Sequence, residues 1–305
     1  MAKNLKRCLF FIILFAILFS SLPQDKYKNG AVVLIGGGYC AEGIEWLLNK
    51  AESREMLVLS SDDVWMSWLY RLQANTKIDF LIIPSRDAAN SDQVIDKIYR
   101  AKSILISGGY QNDYIKLWKG TKLAAAISKM AYKIPVGGSS AGLAIMGEFY
   151  YSAKNNTVIS DEALFNPYNE FMSDIDNNFL KLPFMENIIT DSHYAERGRQ
   201  GRHLVFMARI LNDRHIENIK GIGIDEDTAL CIDYRGTTTV LGNGKCYLIE
   251  NLSFPKICII GQCLIWNRAA RAYIISSGTV FDINKWKFES SEVWSVEDGK
   301  LVRAN

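Results

Sequence analysis

Histidine is scarce. The chain of 305 residues holds three, at His193, His203 and His215, and residues 216–305 hold none. Any chemistry that needs an imidazole must use one of these. Net charge is small, at +2, which excludes the basic footprint of a general nucleic-acid binder. Repeats and low-complexity tracts are missing, which excludes solenoids and disordered scaffolds. Long apolar runs are missing after residue 22. The earlier run, Cys8 to Phe19 (CLFFIILFAILF), follows Lys3, Lys6 and Arg7. It is too short to span a bilayer comfortably, so residues 1–22 are expected to be an export signal. Ser20, Ser21 and Leu22 make a poor cleavage site, which leaves an uncleaved anchor open. The expected location is periplasmic or secreted. Beyond that segment stand Cys40, Cys231, Cys246, Cys258 and Cys263. Their number is odd and their spacing matches no metal motif, so no metal is expected and no disulfide pairing follows.

What is present is ordinary globular composition, 49% hydrophobic and 22% charged, over a length that fills a core. From Ala31 to Gly147 apolar runs alternate with helix-like segments. The runs 31–36, 56–60, 78–84, 103–109 and 134–138 are apolar on both faces, as buried parallel strands are. Between them Ala41–Glu52, Asp62–Ala74, Ser91–Lys102 and Tyr114–Tyr132 read as helices. This predicts an α/β fold: an open, mostly parallel sheet with helices on both faces. Residues 148–186 look irregular. Residues 187–193 and 221–233 add strands, with a helix over Gly201–Leu211. The expected domain runs 31–235. Residues 236–305 form a strand-rich C-terminal extension, able to pack on the same domain, that ends in a hairpin turning at Asp298-Gly299.

Ligands in such sheets bind beyond the carboxyl ends of strands. Two glycine turns lie there, Gly36-Gly37-Gly38 and Gly108-Gly109. The first does not complete a dinucleotide-binding fingerprint, since position 41 is Ala. Gly138-Ser139-Ser140-Ala141-Gly142 fits the G-x-S-x-G elbow, in which a serine stands exposed on a sharp strand-to-helix turn. A plain Gly/Ser turn gives the same letters. A serine nucleophile needs a base. His193 follows a strand end and is the best candidate; His203 and His215 lie in or after the helix and suit packing or surface roles. The lack of histidine after residue 215 disfavours an α/β-hydrolase, whose histidine comes near the chain end. Arg197, Arg199 and Arg202 follow at a helix start, where positive charge opposes the dipole. They fit either a carboxylate substrate or a basic face paired with Asp191 and Glu196.

GGSSAG (137–142), SGGYQ (107–111), TDSHYAERGRQGRHL (190–204) and GIGIDEDTAL (221–230) together resemble the cyanophycinase family of serine peptidases, which is related to aspartyl dipeptidases. The resemblance spans roughly 31–233. It implies a class I glutamine amidotransferase-like fold, with Ser140 as nucleophile and His193 as base. It implies an oxyanion hole of the Gly109 and Ala141 amides, and substrate contacts from Gln111, Asp191, Arg197, Arg199 and Arg202. The family places the orienting acid between the serine and the histidine. That points to Glu162, then Asp161, with Glu148 weaker. Asp225 or Glu226 is left to neutralise the arginines, to contact a basic substrate group or to serve as a turn residue. Ser139 stands where the family has threonine, and Ser192 where cyanobacterial members have glutamine, which puts the substrate in doubt. The implied activity is hydrolysis of cyanophycin, or a related Asp-rich peptide, to β-Asp-Arg dipeptides. An aspartyl exopeptidase and an inactive peptide-binding protein are the alternatives. No cofactor or metal is expected. The expected partner is an acidic-backbone polypeptide or dipeptide, not nucleic acid, and a homodimer is left open.

Overall fold

A computed structural model describes residues 30–51, 53–62, 76–172 and 174–304. The expected export segment 1–22 and nearly all of the expected helix Asp62–Ala74 lie outside the described residues. The first five strands are β1 (Ala31–Ile35), β2 (Glu55–Ser60), β3 (Lys77–Ile82), β4 (Ile104–Ile106) and β5 (Pro135–Ser139). Next come β6 (Phe149–Tyr151), β7 (Ile175–Asn177), β8 (Ile188–Asp191), β9 (Lys220–Ile224) and β10 (Thr228–Ile232). The rest are β11 (Thr237–Gly242), β12 (Lys245–Asn251), β13 (Trp266–Ser276), β14 (Val280–Asp282), β15 (Glu292–Glu297) and β16 (Lys300–Ala304). The helices are α1 (Ala41–Lys50), α2 (Arg86–Asn90), α3 (Asp92–Arg100), α4 (Gln111–Trp118), α5 (Lys122–Met130), α6 (Ala141–Ala144), α7 (Ser160–Phe165) and α8 (Gln200–Arg214).

Where the sequence suggests one sheet, the strands divide between two. The first runs β14-β11-β10-β1-β5-β4-β2-β3. Its half from β1 to β3 is parallel, and β10, β11 and β14 are antiparallel. The second runs β16-β15-β13-β12-β9-β8-β6-β7, parallel only through β6, β8 and β9. The glycines of β9 explain the second sheet. A Cβ at Gly221 would stand 2.8 Å from His203 Nε2, and one at Gly223 would stand 2.4 Å from the Tyr194 ring. The glycine face of β9 therefore lies under α8 and the turn before it. Its other face sends Ile222 and Ile224 into a core shared with Val32 and Leu34 of β1 and Leu230 and Ile232 of β10. A separate cluster joins α1 (Ile44, Leu47, Leu48) to the opposite face of the first sheet. A third joins α8 to Tyr247, Ile249, Trp266 and Trp294 of the second.

The strand runs read from sequence fall where β1 to β5 lie. Ser91 caps α3, its Oγ accepting from Val94 N–H at 3.3 Å. The single helix expected over Tyr114–Tyr132 is two, α4 and α5. Gly120 breaks them at φ +72°, and Thr121 begins the second. The extension 236–305 is not a separate layer. β11 and β14 complete the first sheet, and β12, β13, β15 and β16 the second. Asp298 (φ +47°) and Gly299 (φ +73°) make the two-residue turn between β15 and β16.

Candidate active site

The elbow leaves the carboxyl end of β5. The Ser140 N–H donates to Ile35 O at 3.0 Å. The backbone then turns through φ +52°, ψ −112° at Ser140, a conformation a non-glycine residue holds only under constraint. Both flanking glycines are obligatory. A Cβ at Gly138 would meet Gly142 O and Met146 Sδ at 2.5 Å, and one at Gly142 would meet Ile106 O at 2.3 Å. The strain thus lifts the Ser140 hydroxyl out of the sheet.

His193 leaves the end of β8 in the same direction. Its N–H donates to Gly36 O at 2.7 Å, and its own φ is +45°. The triple-glycine turn after β1 seats the imidazole. A Cβ at Gly37, itself at φ +111°, would lie 2.2 Å from His193 Cε1. His193 Nε2 stands 2.6 Å from Ser140 Oγ. Burial holds the imidazole pKa below its ordinary value; Glu226 opposes this, while the Arg197 and Arg199 charges add to it. The ring is thereby kept neutral, the form that accepts a proton.

On the other side of the ring, Glu226 Oε1 is hydrogen-bonded to His193 Nδ1. The turn Asp225–Asp227 crosses from β9 in one sheet to β10 in the other, and its neighbours hold it on both sides. Asp225, buried, accepts from Ala195 N–H at 2.9 Å and Lys245 N–H at 3.0 Å. Asp227 Oδ1 accepts from Tyr39 N–H at 2.6 Å, and Asp227 N–H donates to Gly37 O at 2.9 Å. Glu162 does not fill the expected role. It is exposed at the start of α7 and its carboxylate accepts from Ile159 N–H at 3.4 Å. Asp161 is exposed beside it. Glu148 accepts from Asn187 N–H at 2.6 Å. His203 is buried between Tyr194 Oη (3.1 Å) and Ile189 O (3.2 Å), and His215 is the exposed cap of α8.

A cleft of about 450 Å³ opens over Ser140 and His193, bordered by Gly109, Gln111, Ala141, Ser192, Arg197 and Arg199 among others. Gly109 is at φ +146°, and Tyr114 Oη donates to the carbonyls of Ser107 and Gly108 at 2.9 Å, fixing this loop. Ala141 is the first residue of α6, where a helix cannot use its own N–H. Gln111 Nε2 donates to Tyr151 O at 2.6 Å. A larger cavity of about 580 Å³, lined by Tyr132, Leu182, Lys220 and Trp286 among others, includes neither Ser140 nor His193.

The arginines separate. Arg202 Nε and Nη2 grip both oxygens of Asp191 at 2.8 and 2.6 Å, and its Nη1 donates to Thr157 Oγ1 and Val158 O. Both residues are nearly fully buried, at 3% and 2% exposure, and neither borders the cleft. Asp191 and Arg202 are therefore a buried ion pair rather than the expected substrate contacts. Burial favours the neutral acid at Asp191, but Arg202 and Arg199 outweigh it and hold its pKa down at about 2. Arg199 lies between the two settings. It borders the cleft, while its Nη1 donates to Ser192 O at 2.7 Å and Asp191 Oδ1 at 3.2 Å. Burial lowers its pKa to about 10. Arg197 alone of the three is well exposed. Among the described residues no group of three or more His, Cys, Asp or Glu is placed to hold a metal ion.

A profile of peptidase family S51 matches residues 59–240. The cyanophycinase of Synechococcus elongatus is 26% identical over 216 residues, which is 68% of this chain and 61% of that protein. The chain thus spans under two thirds of that relative's length. The cyanophycinase of Geminocystis herdmanii (strain PCC 6308) is 24% identical over 252 residues, 74% of this chain and 83% of its own. Among solved structures, a peptidase from an acI-B1 Actinobacterium matches with TM-score 0.56 and 15% identity, over 84% of this chain and 98% of that one. At that identity it speaks for the α/β fold with its strand-rich C-terminal region. With more than half of its residues matched by one family's profile, the chain belongs to peptidase family S51.

Proposed function

We propose that this protein is a serine peptidase acting on cyanophycin or a related Asp-rich peptide, through Ser140, His193 and Glu226. The contact of His193 with Ser140 on one side and Glu226 on the other carries the reading. Ser140 Oγ attacks the scissile carbonyl while His193 Nε2 takes its proton. Glu226 holds the Nδ1–H tautomer and stabilises the imidazolium. The amides of Gly109 and Ala141 donate to the oxyanion. The imidazolium returns the proton to the leaving amine, the amine departs, and Ser140 is left as an ester. Water, deprotonated by His193, then hydrolyses that ester.

The cleft's charges support the substrate class. Lys154, Arg197 and Arg199 border it, with Asp113 as a carboxylate and Tyr110, 69% exposed, beside Gln111. Cyanophycin has an aspartate backbone with arginine joined to each side chain. Its carboxylates suit the cations, and its guanidinium suits Asp113 and the Tyr110 ring. Ser192, shorter than glutamine and held by Arg199, favours the aspartyl dipeptide reading as the alternative. Incubating purified protein with cyanophycin and, separately, with aspartyl dipeptides separates them by product mass. Ser140→Ala is expected to abolish turnover and fluorophosphonate labelling. A wild-type protein inert to both substrates and to the label overturns the proposal in favour of a binding protein. Export belongs to the same proposal: the full chain, expressed in a bacterium, is expected outside the cytoplasm on fractionation.

A further inference from the structure

The three arginines do not serve one purpose, and Arg197 has an unusual neighbour. Its Nη2 lies 3.8 Å from Glu226 Oε1, the oxygen that also holds His193 Nδ1. One carboxylate oxygen is thus shared between a guanidinium and an imidazole. Glu226 helps the reaction by stabilising the imidazolium formed when Ser140 attacks. A cation already beside that oxygen offsets part of this help.

Arg197 is also open to solvent. Its side chain is 54% exposed and borders the cleft. Its backbone is fixed, since its N–H donates to His193 O at 3.2 Å. The guanidinium can therefore change partners while the frame around His193 stays in place. Arg199 cannot do this, because Ser192 O and Asp191 hold it.

We propose that Arg197 couples the charge of the substrate to the reactivity of Ser140: a substrate carboxylate draws the guanidinium off Glu226, and the released Glu226 then supports the His193 imidazolium. The inference rests on the peptidase reading above. It makes Arg197 a positioning residue that rewards acidic substrates in kcat as well as in KM. A plain electrostatic grip would act on KM. The charged groups around the His193–Glu226 pair are Arg197 and Arg199 from the turn before α8, Asp225 and Asp227 on either side of Glu226, and Lys154 and Asp113 on the cleft lining.

The test compares wild type with Arg197→Gln and Arg197→Lys in the full chain. An uncharged fluorophosphonate measures Ser140 reactivity without any substrate carboxylate, and an Asp-rich peptide measures the coupled reaction. Arg197→Gln is expected to react about two- to fivefold faster with the probe, the size an exposed ion pair supplies. On the acidic peptide its KM is expected to rise while kcat stays near wild type, since Glu226 is already released. The acid limb of probe labelling should move to higher pH, since removing a cation favours protonated His193. Arg197→Lys keeps the charge and should stay near wild type with the probe. Thermal unfolding of all three should match. If Arg197→Gln labels no faster and only raises KM, the residue is a grip and the inference falls alone. A wild type whose Ser140 never reacts overturns the peptidase reading and this inference with it.

Discussion

At the scale of single residues, the assignment of the orienting acid separates the two readings of this chain. The family resemblance points to Glu162; the geometry puts Glu226 on His193 Nδ1. Glu226→Gln keeps the size but can turn an N–H toward Nδ1, which favours the wrong tautomer, and without its charge it leaves the imidazolium unsupported. Turnover should fall by about a thousand- to ten-thousandfold, in the range seen when an orienting acid is removed. Glu162→Gln, at an exposed helix start, should keep near-normal turnover; the reverse pattern would reinstate Glu162. The pH profile follows from the same contacts. Burial lowers the His193 pKa, and the neutral ring is the active base. Activity should therefore persist below the ordinary histidine range of about 6.5 and fall only as pH drops through the lowered value. Removing the Glu226 charge takes away the opposing influence, so in Glu226→Gln the acid limb should move lower still. A limb that stays put, or moves up, would mean that Glu226 is not the charge felt by the ring. Glu226 lay within reach of the sequence, in GIGIDEDTAL. The resemblance places the acid before the histidine, and nothing in a turn between two strands aims Glu226 at a distant imidazole.

At the scale of elements, the parallel half of the first sheet was legible, and for a definite reason. Runs such as AVVLI and EMLVLS are apolar on both faces, as parallel strands covered on both sides are. The elbow was legible because two glycines are forced by backbone contacts. The arginine cluster is only half legible. Sequence marks three cations at a helix start; it does not say which are buried. Arg202 lies in the first turn of α8, turned toward β8, where Asp191 meets it. That pair ties helix to strand directly beneath His193. Asp191→Asn would leave Arg199 and Arg202 without their carboxylate, and an unpaired buried charge costs about 3–5 kcal/mol. Arg202→Met should cost less, because Asp191 keeps Arg199. Urea denaturation gives this order directly, and equal stability of both variants with wild type would contradict it. Loss of activity should follow loss of fold in Arg202→Met, not precede it, as expected of a residue outside the cleft.

At the scale of the whole molecule, residues 236–305 decide whether the site exists. Sequence gives no motif there, so residues 236–305 read as an extension, and strand count alone cannot show which sheet a strand will join. In the fold they are shared out: β11 pairs with β10, and β12 pairs with β9 from Cys246↔Ile224 to Glu250↔Lys220. β9 and β10 are the two strands whose connection carries Glu226. The link continues past the ladder, since Lys245 N–H donates to Asp225 Oδ2 and Asp225 N–H to Lys245 O at 3.1 Å. Val240, Cys246 and Leu248 also enter the core between the sheets, so their removal opens apolar surface on both. A chain ending at residue 235 should therefore fail to reach a native state, instead of keeping a working catalytic half. Circular dichroism in the near-ultraviolet and fluorophosphonate labelling of Ser140 would check this, with the full chain as control. A shorter deletion, ending at Glu289, removes β15 and β16 at the edge of the second sheet while leaving β9, β10 and β12 paired. It should destabilise the protein, because Trp294 and Val296 leave the α8 core, yet whatever fraction folds should still label at Ser140. If the chain ending at residue 235 folds and labels, then β1, β5 and β8 hold the site unaided, and the two-sheet clamp on Glu226 has no role in catalysis.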